Sequence, residues 1–314
     1  MKPTAMSYLA NLMLRLAAGV GELPEEVRLR HAAYLAALQR DDGGFAGRQG
    51  PNDPYYTSFG LRGLVMLGHL SDSAAQRTAA LLQSGLRRRS PSVDFLSLVG
   101  SAVLLEMATG IDVFAAAGLA RQQTVTDFVE RFRRGDGGYA KTERGGQSST
   151  YHTFLVVLCK QLVGAPLEDA QQIVDLVRSR RRSDGGFVEV GPVEHSGTNP
   201  TAAAVALLQI FGALDDGTRT SAAAFLARMQ TPEGGLRANA RIPAADLLST
   251  FSGLVALGDL DGMTHIDRAA AKRFVQSLEL PDGGFRAGTW DMAADVEYTF
   301  YGLGTLALLA AVEG

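Results

Sequence analysis

Hydrophobic and polar positions along this chain follow two helical patterns that alternate. In the first, apolar residues recur every fourth position, as in Ile266, Ala270, Phe274 and Leu278, with Asp267, Lys272, Arg273 and Gln276 between them. That spacing is the apolar stripe of a helix with one wet face. Thr264, with Asp267 three residues on, predicts where this helix starts. In the second pattern, as in Thr201 to Leu214 and Thr299 to Leu309, residues are apolar nearly all round. Such a helix has to be covered on every side. No strand-like alternation falls between the two kinds.

The passage from wet to dry helix carries a recurring turn. It reads Asp282-Gly283-Gly284-Phe285, Glu233-Gly234-Gly235-Leu236, Asp184-Gly185-Gly186-Phe187 and Asp136-Gly137-Gly138-Tyr139, with an early copy at Asp42-Gly43-Gly44-Phe45. The later copies begin 48, 49 and 49 positions apart, and the first gap of 94 is two such periods with the middle turn eroded. The Gly pair allows a tight turn, and the bulky residue after it pins the next loop on apolar surface.

Six repeats follow. The first runs from about Tyr34 through Leu67, and the second has Arg87-Arg88-Arg89-Ser90-Pro91 in place of its turn, then an inner helix from Phe95 to Met107. The remaining inner helices are predicted to start near Thr150, Thr201, Leu247 and Val296. Dry helices packed as a ring with wet helices around them make an all-α fold, an α6/α6 toroid, as a single domain over residues 1–314. A closed ring needs no special end caps. Ala5 to Val20, interrupted by Arg15, reads as an additional amphipathic helix.

Composition narrows the setting. A net charge of −3 gives no sign of an extended nucleic-acid surface or a polybasic membrane anchor, and leaves room only for local basic spots. The one cysteine, Cys159, excludes a disulfide framework and a cysteine-cluster zinc site, and fits a reducing compartment. The longest apolar run, Thr299 to Val312, is too short to span a bilayer. The expectation is a cytoplasmic protein with no membrane span and no nucleic-acid partner.

Loops from the Gly pairs to the inner helices are about ten to twelve residues, longer than most connections, so a site is expected where they gather. All inner helices start at that end, and their N-terminal N–H groups and dipoles favour an anionic group such as a diphosphate. The apolar ring below suits a lipid tail. Asp53, Asp246 and Asp295 read first as helix caps. His195 and His152 stand in a loop and at an inner-helix start, Arg87 to Arg89 read as a solvated run, and Cys159 reads as core. Tyr55, Tyr56, Tyr151, Phe251, Tyr298 and Trp290 either line the central space or belong to the core.

The run Tyr34-Leu35-Ala36-Ala37-Leu38-Gln39-Arg40-Asp41-Asp42-Gly43-Gly44-Phe45, followed by Asp53-Pro54-Tyr55-Tyr56-Thr57, resembles the β subunits of protein prenyltransferases, especially the Rab geranylgeranyltransferase type. The likeness covers essentially the whole chain. It implies an α6/α6 toroid with a central apolar funnel for an isoprenoid diphosphate, a helical partner subunit and, in active enzymes, a zinc ion at the mouth that activates a cysteine thiolate. Of the family's zinc ligands only Asp246 survives, because Leu248 stands at the Cys position and Tyr298 at the His position. One carboxylate cannot replace three protein ligands, so no zinc is expected, and Asp246 is the candidate catalytic residue. A relocated site would have to draw on His195, Asp246, Asp295 or Glu297.

On the diphosphate side, Glu194-His195-Ser196-Gly197 looks like the family's Ser-His-Ala-Gly stretch and places His195 at the diphosphate-contacting position. Arg237 and Arg241 lie in the loop where the family has its basic residues, but out of register, and Ser249 takes the place of a tyrosine. The expected substrate-binding set is His195, Arg237, Arg241, Tyr151, His152, Phe251 and Tyr298. A non-catalytic lipid-binding or protein-interaction module on the same fold is the alternative. A terpene cyclase ranks lower, since Asp291-Met292-Ala293-Ala294-Asp295 does not have the Asp-x-Asp-Asp spacing. A carbohydrate-active toroid with paired carboxylates needs a polar cleft that the apolar inner helices do not provide.

Overall fold

A computed structural model describes residues 6–310 of the chain. Helix α1 (Tyr8–Gly21) precedes the repeats, which run α2 (Glu25–Leu38), α3 (Pro54–Leu67), α4 (Asp72–Leu86) and α5 (Ser92–Thr109). The short α6 (Val113–Ala116) is followed by α7 (Arg121–Val129), α8 (Thr150–Leu162), α9 (Ala170–Ser179) and α10 (Thr198–Ile210). The last two repeats are α11 (Asp216–Ala227) with α12 (Leu247–Asp259), and α13 (Arg268–Ser277) with α14 (Val296–Ala310). Helices α3, α5, α8, α10, α12 and α14 each pack on the next, and α14 returns to α3, so the inner ring is closed. The outer helices pack against the inner ones from outside. The fold is an α/α toroid.

Caps decide where the inner helices begin. Asp53, Ser149, Asp246 and Asp295 accept the N–H groups of Tyr56, His152, Ser249 and Tyr298 at 2.9, 2.9, 2.7 and 2.9 Å. Helix α10 lacks such a cap, starts after Gly197, and so begins three residues ahead of Thr201. In the last outer helix Asp267, not Thr264, is the cap, accepting from Ala270 N at 2.8 Å. Thr264 lies in a 3-10 turn that precedes it.

The Gly turns join repeat to repeat. Gly234 has φ of +100°, and a Cβ there would lie 2.2 Å from the Ala270 carbonyl oxygen on α13. Gly283 has φ of +95° and sits in the same way against Arg30 and Tyr34 of α2, so the sixth turn closes the ring on the first outer helix. Around this seam His31 Nδ1 accepts the Gly284 N–H at 3.0 Å, and the His31 ring stacks on Phe285 with centroids 4.8 Å apart. Two-residue strands that the sequence pattern did not predict, Phe285–Arg286 and Ala294–Asp295, pair antiparallel in the sixth loop. The residues after the turns, Phe45, Tyr139, Phe187, Leu236 and Phe285, are buried. Each donates its backbone N–H to an inner-helix threonine, Thr57, Thr153, Thr201, Thr250 or Thr299, at 2.9 to 3.3 Å.

The second repeat replaces this device. Arg87 donates from Nε to the Ala117 carbonyl at 3.1 Å, just after α6, while Arg89 pairs with Glu143 at the surface. Arg87 is therefore a structural bond rather than part of a solvated run. Helix α5, with 18 residues, is long and apolar enough to cross a membrane, but more than half of it is buried inside the ring wall.

The N-terminal helix closes the far end of the ring. Helix α1 packs on α14, α3 and α8. Tyr8 donates its hydroxyl to Asp259 at 2.5 Å, Arg15 lies 3.5 Å from the same carboxylate, and Tyr8 N reaches Gln161 at 3.4 Å. Asp259 and Gln161 mark the C-terminal ends of α12 and α8, so α1 forms a floor opposite the gathered loops.

Candidate functional site

Ring and floor enclose a chamber of two lobes, about 400 and 380 Å³, which share Leu9, Tyr55, Phe59, Arg62, Tyr151, Leu155, Leu158 and Glu189. Phe154, Phe251, Phe300 and Tyr301 extend the aromatic wall of the first lobe, and Leu9, Leu12 and Met13 of α1 supply its base. His152 and Cys159 line the second lobe. These aromatic residues come from helices far apart in sequence and meet only because the ring closes: Tyr55 lies edge-on to Phe59 at 5.0 Å, and Phe251 to Phe300 at 5.5 Å.

Burial governs the chemistry of the wall. His152 has no partner for Nε2, and burial pulls its imidazole down to about 4, so it is neutral at physiological pH. Burial pushes the Cys159 thiol up to about 12, which makes it inert as a nucleophile. Glu189 accepts from the Ser149 hydroxyl and, at 3.4 Å, from Tyr151 N at the start of α8.

A separate hollow of about 440 Å³ opens on the rim, lined by Arg48, Tyr56, Ala287, Trp290, Asp291, Asp295, Glu297 and Tyr298. Here Arg48 donates to Asp291 at 2.8 Å and to Asp295 at 3.1 Å, tying the first loop to the sixth. Arg48 holds Asp291 down at about 2. Burial raises the Asp295 carboxyl, an effect partly offset by the Tyr298 N–H and by Arg48. Burial likewise raises Glu297, which accepts the Tyr55 hydroxyl at 2.6 Å.

The structure separates the expected site residues. Tyr151, His152 and Phe251 line the chamber, whereas Tyr298 lines the rim hollow with Tyr56 and Trp290. His195 Nε2 and Arg241 Nη2 are in contact and both residues are exposed. Arg237 is turned away, donating to the Arg228 carbonyl at 3.3 Å at the end of α11. Arg286, the residue after the turn one repeat on, makes the same bond to Ser277 at 2.8 Å. Arg237 therefore occupies a repeated structural position.

Asp246 uses both carboxylate oxygens on Ser249, accepting its N–H and its hydroxyl at 2.7 Å each. Burial raises its carboxyl against those two bonds. A zinc ion of the kind the fold family implies would need two more donors beside it. Leu248 faces the chamber as an apolar side chain, and no group of three His, Cys, Asp or Glu that could hold a metal occurs among the described residues. The donor set does not fit zinc.

Sequence reasoning missed Arg62. It lines both lobes, and among the described residues its guanidinium has no hydrogen bond or ion pair, only the ring faces of Phe59 and Phe300 at 5.5 and 5.9 Å. The signal was there: Arg62 is the one charged residue in the otherwise apolar stretch from Ser58 to Leu67.

A closed α/α ring around an apolar chamber defines the class, and comparison with known proteins gives the family. The model of the prenyltransferase alpha-alpha toroid domain matches residues 26–84, 95–239 and 201–314, and the chain belongs to this family. No curated protein sequence matches it. Among solved structures it is similar to the Candida albicans protein geranylgeranyltransferase-I complexed with GGPP, at 13% identity and a TM-score of 0.69 over 96% of this chain and 91% of that one. It is also similar to a variant of the type II terpene cyclase MstE from Scytonema in complex with geranylgeranyl dihydroxybenzoate, at 15% identity and a TM-score of 0.61, covering 96% and 99% of the two chains. A protein from Actinoplanes matches at 17% identity and a TM-score of 0.60, over 91% and 99%. At these identities the structural likeness defines the fold.

Proposed function

We propose that this protein is a cytoplasmic isoprenoid-binding member of its family, holding the prenyl chain of a polyprenyl diphosphate in the central chamber without zinc. The carrying observation is the enclosed aromatic chamber, whose walls are Tyr55, Phe59, Phe154, Phe251 and Phe300 and whose base is α1. Burying each prenyl carbon there gains close to 0.8 kcal/mol per CH₂, by order of magnitude, and no polar group of the tail needs a partner. The inner-helix N-termini and the exposed pair His195 and Arg241 provide the anionic end of the ligand with donors. Two of the three structural neighbours named above hold a geranylgeranyl group in their complexes, which supports the same ligand class for this chain.

Prenyl transfer of the family's kind relies on a metal-activated thiolate, and the residues around Asp246 do not provide for it. With its oxygens bonded to Ser249, Asp246 serves as a helix cap, and the reading favoured is a binding protein. Titration calorimetry of chelator-treated protein with farnesyl and geranylgeranyl diphosphates should show one saturable site. Absence of both heat and thermal stabilisation with either ligand overturns the reading, and stoichiometric zinc in the purified protein overturns its zinc-free part.

A further inference from the structure

The guanidinium of Arg62 is the strongest unexplained feature of the chamber. It stands eight residues into α3, so about 12 Å along the helix from the loop end at 1.5 Å per residue. Gly100 of α5 leaves room beside it: a Cβ there would lie 3.6 Å from Nη2. An arginine cannot lose its charge, and an enclosed cation needs an anion or hydrogen-bond acceptors. The ring faces of Phe59 and Phe300, 5.5 and 5.9 Å away, meet only part of that need.

No acidic group among the described residues supplies the rest. The ionisable groups facing Arg62 are the phenols of Tyr55, Tyr151 and Tyr301 and the thiol of Cys159, and burial pushes every one of them toward its neutral form. Glu189 is engaged at the start of α8, and Glu297 by Tyr55 on the rim side. The donors of Arg62 therefore face into the chamber.

We propose that Arg62 receives a carboxylate carried on an apolar, isoprenoid-like body inside the chamber. A guanidinium offers two parallel N–H donors that match the two oxygens of one carboxylate. A diphosphate carries more negative charge than one guanidinium balances, and the other cation of the lining, Lys141, stands in the second lobe near His152 and not among the residues that the two lobes share. The ligand class is thus a terpenoid or prenylated carboxylic acid held with its acid group at depth. This deepens the isoprenoid-binding reading and rests on it.

The test compares farnesoic acid, its neutral methyl ester and farnesyl diphosphate by titration calorimetry on wild-type protein and on Arg62→Met, with Arg62→Lys as a charge-keeping control. Wild type should bind the acid about tenfold or more tighter than the ester. Arg62→Met, relieved of an unpaired cation, should melt at least as high as wild type without ligand, bind the ester as well or better, and lose the preference for the acid. Arg62→Lys should keep part of that preference. Equal binding of acid and ester by wild type, or a preference that survives in Arg62→Met, overturns the assignment while leaving the chamber reading in place. Binding of farnesyl diphosphate tighter than the acid through Arg62 overturns the choice of carboxylate. Failure of all three ligands to bind wild type overturns both readings.

Discussion

The rim of the ring and the wall of its chamber differ in what their polar side chains are doing. On the rim, Arg48 is tied to Asp291 and Asp295, Asp246 to Ser249, and Arg237 to the Arg228 carbonyl. In the wall, among the described residues, Arg62 has no polar partner and His152 keeps an orphan Nε2. A partnered charge holds loops in place, whereas an unpartnered one in an enclosed apolar space has its interaction still to make. Changes on the rim should therefore register in stability at neutral pH, and changes in the wall in ligand binding and in how stability responds to acid.

The largest expected effect breaks the rim. Phe285 is fully buried, stacks on His31, and sits at the seam between the sixth turn and α2. Phe285→Ala should cost about 4 kcal/mol in chemical denaturation, the usual range for a large aromatic removed from a core. A loss below ~1 kcal/mol would show that the seam does not hold the ring together.

The next effect sharpens the wall. The His152 imidazole titrates at 6.5 when unfolded and is drawn down to about 4 when folded, so between these values the unfolded chain binds more protons. Stability should fall as the pH drops from 6.5 toward 4 and be unaffected by this group above 6.5. At 1.36 kcal/mol per unit the total is roughly 3 kcal/mol. Denaturation at a series of pH values, wild type against His152→Phe, checks it, and identical slopes would show that the imidazole is solvated.

A smaller effect tells cap from catalyst. Asp246→Ala should lose about 1 kcal/mol, and Asp246→Asn only a few tenths, since asparagine caps nearly as well. Both variants should bind geranylgeranyl diphosphate as wild type does. Loss of a prenyl-transfer product in Asp246→Asn, with wild type producing one, would make Asp246 a catalytic base.

Much of the architecture was legible because the Gly turn repeats and the inner helices are dry all round. Thr150, Leu247 and Val296 start helices where the pattern placed them, and three of the four side-chain caps described on the inner helices are aspartates. The start of α10 was displaced because Gly197 gives no side-chain cap, and Thr201 proves to be the threonine that receives the Phe187 N–H at 2.9 Å. The role of α1 was hidden for a different reason. Amphipathicity shows that a helix has an apolar face, and not that this face will lie across the open end of a ring built from residues far along the chain. The site was less legible still. Spacing put Arg237 beside Arg241 in one loop, but which carbonyl a guanidinium reaches is decided by the neighbouring outer helix. Arg62 went unnoticed because an arginine in an apolar helix reveals its isolation only once all its neighbours are known.

The central claim is that the prenyl chain occupies the chamber. Ala202 lines that chamber from α10 and is half-buried, so Ala202→Trp fills it from the wall without touching the rim. Titration calorimetry with geranylgeranyl diphosphate should give one site for chelator-treated wild type and at least a tenfold weaker one for a folded Ala202→Trp. Equal affinity in the two proteins would place the ligand elsewhere and contradict the account.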